Sequence, residues 1–264
     1  EDLWPSKGDY DFNDLVVDYN FMIIKNNQEM VKSITATFVL KAYGASVNSG
    51  FGFTLPTLKS SDILSVTGYD VVNKTVFDIG SNGLENGQSK PTIIVFDNAH
   101  RIMPSMGGTG ANTQLAYAYT KPVTIVVKIT LSENANIKFS KLDVGSVNPF
   151  MIVGTSVNGA PGSRGKEIHL ANYEPSDLFD RSYFGKGDDR SSPSKGRYFV
   201  TGNNHPFAID ISDNFEWPIE NEEINDAHYK FLNWALSAGS TYKDWHLNKV
   251  DYRNNDLIYS KKTR

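Results

Sequence analysis

The sequence predicts a mostly β fold: an antiparallel β-sandwich or jelly roll with one C-terminal α-helix. Three observations predict it. Residues 34–42 place Ile34, Ala36, Phe38, Leu40 and Ala42 at every second position, with Thr35, Thr37 and Lys41 between them. That period of two is the mark of a half-buried strand. Residues 123–131 (VTIVVKITL) form the strongest strand signal in the chain, and further short β-branched runs are separated by turn residues. Helical periodicity occurs in one stretch only, residues 221–238.

In chain order, residues 15–24 alternate loosely and end at Lys25, Asn26, Asn27 and Gln28. These are turn residues, so this strand and the one over 31–42 are expected to form a hairpin. Strands are also expected at 51–55, 63–72, 92–96 and 149–153. Residues 80–90 (GSNGLENGQSK) read as a polar turn. Residues 100–113 carry Met103, Met106, Gly107, Gly108 and Gly110 and are expected to be a mobile loop. Residues 154–165 (GTSVNGAPGSRG) are the best linker candidate. No second complete core pattern follows, so the chain reads as a single β-rich domain over 1–264, with 154–165 as the alternative boundary. Residues 168–170, 197–201 and 207–211 are expected to add short strands.

The helix expected over 221–238 aligns Ile224, Ala227, Phe231, Ala235 and Ala238 on one face. Asn221 is placed to cap its start, and Gly239 to close its end. Its apolar face is expected to cover the sheet rather than a partner.

Composition excludes several functions. The net charge of −4 and pI near 5.8 give no basic face for nucleic acid. Lys261, Lys262 and Arg264 are expected to form a frayed tail. There is no cysteine, hence no thiolate zinc site, disulfide or cysteine nucleophile. No signal peptide or transmembrane span is evident, and the chain opens on Glu1 inside a motif. Any export signal or lipid anchor is therefore expected upstream.

The densest chemistry is in residues 1–20 (EDLWPSKGDYDFNDLVVDYN), where Asp9, Asp11 and Asn13 have D-x-D-x-N spacing. Calcium takes six to eight oxygen ligands, so oxygens at alternate positions of a tight loop can converge on one ion. Gly8 permits the sharp turn. The pattern departs from an EF-hand, whose glycine at position six is here Asp14 and whose glutamate at position twelve is Asn20, and the flanks read as strand, which points to a β-embedded calcium loop instead. The expected ligands are Asp9, Asp11, Asn13 and Asp14, with Asp18 or Asp2 as further ones. Glu1 could return to the same ion. The competing reading is a solvated turn before a strand, since Asp and Asn are ordinary turn residues.

The other candidates are weaker. His100, His169, His205, His228 and His246 show no zinc spacing, and structural roles are expected for His169 and His228. Gly154-Thr155-Ser156-Val157-Asn158 fails as a nucleophile elbow, and Gly165-Lys166-Glu167 fails as a phosphate loop. With 30 acidic residues, a glycosidase pair cannot be singled out. Residues 185–189 (GKGDD) are expected to be a turn, with a second cation site as the alternative. Among Trp4, Trp217, Trp234 and Trp245, the last is the candidate for exposure.

The opening run EDLWPSKGDYDFNDLVVDY resembles the LruC-type domain, a family of unknown function in Gram-negative bacterial envelope proteins, often lipoproteins. Residues 166–170 (KEIHL), 198–211 (YFVTGNNHPFAIDI) and 215–218 (FEWP) resemble it too. The resemblance implies export to the envelope, at the outer membrane surface or in the periplasm. With related G-D-x-D-x-N-D loops it implies calcium binding, and it supplies no catalytic residues. The function expected is a non-enzymatic envelope module with a structural calcium ion, binding a glycan or an envelope protein. A polysaccharide-acting enzyme is the alternative.

Overall fold

The structure, a computed structural model, describes residues 3–157 and 160–261. Its strands are β1 (Val16–Lys25), β2 (Val31–Ala42), β3 (Asn48–Thr54), β4 (Ile63–Thr67), β5 (Thr92–Phe96), β6 (Val123–Leu131), β7 (Asn148–Val157), β8 (Ala160–Pro161) and β9 (Glu167–His169). They form two antiparallel sheets. One has the order β1-β2-β6-β4; the other runs β5-β3-β7-β8, with β9 also paired to β7.

The alternation in β2 does what its period predicts. Ile34, Ala36, Phe38 and Leu40 are buried between the sheets with Ile125, Val127 and Ile129 of β6. Phe38 meets Phe51 and Phe53 of β3 at centroid distances of 5.6 and 5.3 Å, which sets the seam of the sandwich. The second sheet is covered on both faces. Ile93 and Val95 of β5 enter the central core, while Ile94 joins Phe77, Phe150 and Ile152 on the far side. The β1–β2 hairpin closes as expected, with Oδ1 of Asn26 accepting from the backbone N–H of Gln28 and Met30.

Several expectations are corrected. Of the linker candidate at 154–165, Gly154 to Val157 extend β7, Ala160–Pro161 form β8 paired antiparallel to Ser156 and Val157, and residues 158 and 159 lie outside the described residues; β9 pairs with β7 further back. Residues 197–201 and 207–211 form no ladder; Arg197, Val200 and Pro206 make isolated bridges only. The stretch 100–113, expected to be mobile, begins in a short helix, α1 (Ala99–Ile102), and packs back on the sandwich. Met103, Ala111 and Thr113 are buried, and Ala111 bridges Tyr43.

The expected helix is broken in two, α2 (Ile224–Ala227) and α3 (Phe231–Leu236). A continuous helix would bond the N–H of Phe231 to the carbonyl of Ala227. Instead that carbonyl accepts from the N–H of Asn254, and Phe231 turns to the carbonyl of His228. Tyr229 donates to the carbonyl of Tyr252, and His228 bridges Arg253. The C-terminal chain thus takes the backbone groups the middle turn needs. Asn221 does not cap; the N-cap of α2 is Glu223. The end closes as expected, Gly239 (φ 79°) donating to the carbonyl of Trp234.

The apolar face survives the break. Ile224, Phe231 and Ala235 are buried with Trp245, Tyr10 and Phe12. Trp245 is 1% exposed and packs on Phe231 at 4.8 Å, so the expected exposure is wrong. This cluster matters for function, because half its aromatic wall comes from the N-terminal acidic loop.

Candidate metal centre

The loop before β1 has an unusual backbone. Gly8, Tyr10 and Phe12 all have positive φ, at 64°, 59° and 55°. For Tyr and Phe this region costs about 1 kcal/mol or more each. Packing holds them there. Tyr10 and Phe12 are buried, their rings 4.7 Å apart, and Phe12 lies 5.5 Å from Phe231. The Tyr10 hydroxyl donates to the carbonyl of Pro206 at 2.8 Å. The loop therefore gives its rings to the core, and the carboxylates between them gather in a second group.

Asp9, Asp11 and Glu220 each offer a carboxylate oxygen, all within 4.8 Å of one another. Two oxygens bound to one calcium at 2.3–2.6 Å are at most about 5 Å apart, so these three fit one ion. Asp11 is 1% exposed. Its Oδ1 accepts from the N–H of Asn13 at 3.1 Å. Its Oδ2 accepts from Nδ2 of Asn13 at 2.7 Å and the N–H of Asn221 at 3.1 Å. Burial pushes its pKa up to about 8, reinforced by the negative charges of Asp14, Asp9 and Glu220. Such a group is neutralised by a proton or by a cation.

Asn13 is fully buried. Its Nδ2 donates to Asp11 and to the carbonyl of Pro218 at 3.3 Å, which fixes the amide orientation. Among the described residues its Oδ1 receives no hydrogen bond. That oxygen and Oε2 of Glu220 lie 2.0 and 2.8 Å from the point where a Cβ on Gly44 would sit, hence within 4.8 Å of each other. A buried amide oxygen without a donor, facing carboxylates, is the arrangement a hard cation satisfies.

The sequence-predicted ligands are thus partly brought together. Asp9, Asp11 and Asn13 converge; Asp14 is buried beside them and acts on Asp11 through its charge. Asp18 does not join them: it sits exposed on β1 and pairs with Lys41 at 3.0 Å. Asp2 and Glu1 lie outside the described residues. Glu220 was not foreseen, because it lies 209 residues beyond Asp11 and directly before the expected helix over 221–238.

The other candidates resolve into structure. In the GKGDD turn, the buried Asp189 accepts from Trp4 Nε1, Gly185 N and both the N–H and Oγ–H of Ser191. Buried His169 stands between Asn148 Oδ1 and Glu167 Oε2, at 2.9 and 2.7 Å. His228 bonds the carbonyl of Glu216 at 3.0 Å. Trp4 is buried, while Trp217 and Trp234 are half-buried.

A family profile described as Domain of unknown function (DUF4842) matches residues 29–246. The chain belongs to the DUF4842 family. The family match includes Gly44 and Glu220 and begins after the acidic loop. It establishes a family of unknown function but does not carry the LruC-type label. Among solved structures, this DUF4842 chain is similar to the "Putative lipoprotein" of Bacteroides ovatus. The TM-score is 0.69 at 16% identity, covering 98% of this chain and 73% of that one. The likeness is one of fold. A second structure, "Biofilm associated protein - BSP domain", matches with TM-score 0.26 and 11% identity, covering 74% and 35% of the two chains. No curated protein matches. Among the described residues, no helix of this DUF4842 protein is long and apolar enough to cross a membrane.

Proposed function

We propose that this protein is a non-enzymatic, exported domain of the bacterial cell envelope. In it a calcium ion clamps the N-terminal loop to the segment around Glu220, and the surrounding loops contact a glycan or an envelope protein. The observation that carries the calcium reading is the donor-less, fully buried Oδ1 of Asn13 beside Asp9, Asp11 and Glu220. The fold shared with the Bacteroides "Putative lipoprotein" supports the envelope placement.

The ion's role is structural. Asp11 is 1% exposed, so a substrate cannot reach it as it reaches the opposed carboxylates of a glycosidase. Its ligands come from both ends of the chain, so binding offsets carboxylate repulsion and the strain at Tyr10 and Phe12. A site of about 10 μM affinity in ~1 mM calcium would add about 2.7 kcal/mol by mass action.

The test is thermal melting with and without a calcium chelator, alongside metal analysis of the purified protein. A lower Tm with chelator, restored by calcium and absent in Asp11→Ala, is the expected result. Identical melting with no copurifying calcium would reduce the loop to a turn. Turnover in a screen of glycans, esters and peptides, abolished by one Asp or Glu substitution, would replace the non-enzymatic reading.

A further inference from the structure

The sandwich is open along one side. There β1 is the edge of its sheet and pairs with β2 alone among the described residues; β9, three residues long, pairs with β7 alone. Between these edges lies a groove of about 850 Å³. Four consecutive β1 residues, Val16, Val17, Asp18 and Tyr19, line it. Successive strand side chains point to opposite faces, so four in a row can border one space only along the backbone edge. The groove thus runs beside the outer N–H and C=O groups of β1. The opposite wall is the continuous stretch 208–215, which belongs to no helix or ladder. Phe51, Met151 and Ile168 make an apolar floor.

The rim is acidic. Asp18, Asp210 and Asp213 line the groove and are exposed, while no lysine or arginine lines it. Lys41 reaches two of the lining residues, pairing with Asp18 at 3.0 Å and donating to Asn214 Oδ1 at 3.4 Å, and offsets one of the three charges. The Tyr19 hydroxyl donates to Asp210 Oδ2 at 2.6 Å and ties the two walls together.

We propose that this groove accepts an extended, lysine- or arginine-bearing peptide strand of a partner protein, which adds to the edge of β1. Exposed edge strands are ready templates for pairing, and strand addition draws affinity from backbone hydrogen bonds and specificity from alternate side chains. Apolar side chains of the incoming strand face the floor, and basic ones face the three aspartates. This inference is independent of the calcium reading.

Fluorescence anisotropy, in buffer containing calcium, tests it with an eight-residue peptide of alternating valine and lysine. Saturable binding is expected. A depsipeptide analogue, with ester oxygens replacing the amide N–H groups, should bind about tenfold more weakly or worse. Asp210→Asn with Asp213→Asn should weaken binding and flatten its salt dependence. Equal affinity for the depsipeptide would mean charge attraction without strand pairing and would overturn the proposal. So would no binding up to about 1 mM peptide. Displacement of the peptide by a neutral hexasaccharide would reassign the groove to sugars.

Discussion

The side-chain Oδ1 of Asn13 lies 2.0 Å from the point where a Cβ on Gly44 would stand. No carbon fits there without displacing the amide that holds Asp11. Gly44→Ala should therefore cost about 1–3 kcal/mol, the usual range for overpacking, and remove the calcium response. Denaturant titration with and without calcium checks both. Glu220→Gln should fold but respond to calcium only at higher concentration.

Phe231 anchors the cluster joining the C-terminal helices to the loop rings Tyr10 and Phe12. Phe231→Ala should cost roughly 3–5 kcal/mol, as for a buried Phe. Leu236, 50% exposed, should lose about 0.5 kcal/mol or less on truncation. A loss below about 1 kcal/mol for Phe231→Ala would mean that its face is not core.

His228 should make stability depend on pH. Burial pushes its pKa down to about 4, with Arg253 and His246 repelling the proton and the Glu216 carbonyl opposing the shift. The unfolded chain binds that proton near pH 6.5, so between pH 6.5 and 4 it holds more protons than the folded chain. Stability should fall as pH drops through this window, by up to about 3 kcal/mol from this residue. Urea titrations at pH 7, 5.5 and 4 measure the slope, and His228→Gln should make it shallower.

Arg164 is enclosed by Glu85, which it grips through two hydrogen bonds of 2.6 and 2.7 Å, and by Glu167. Both carboxylates are fully buried. Arg164→Met leaves them facing each other and should cost about 3–5 kcal/mol. Adding Glu85→Gln and Glu167→Gln should recover part of that loss. No recovery, by thermal or denaturant melting, would mean that packing of the arginine stem dominates.

What the sequence determined by itself was whatever depends on neighbours along the chain. The period of two in β2 followed from each residue alternating faces, and the Asn26 turn from local hydrogen bonding. The clustering of Asp9, Asp11 and Asn13 followed from their spacing, and the buried face of Ile224, Phe231 and Ala235 from theirs. Only the tertiary structure decided the rest. Periodicity predicted one helix, because it records which side chains want burial; the break at His228 arose when residues 252–254 took its backbone bonds. Trp245 looked exposed in a polar context, yet it fills the space between α3 and His228. Asp18 has the charge and proximity of a ligand, but the alternation of β1 turns it outward to Lys41. Glu220 and Gly44 are invisible to any local reading of the site. A metal centre selects oxygens by distance in space, and these residues reach Asn13 only after the chain ends are packed together by the rings of Tyr10, Phe12 and Phe231.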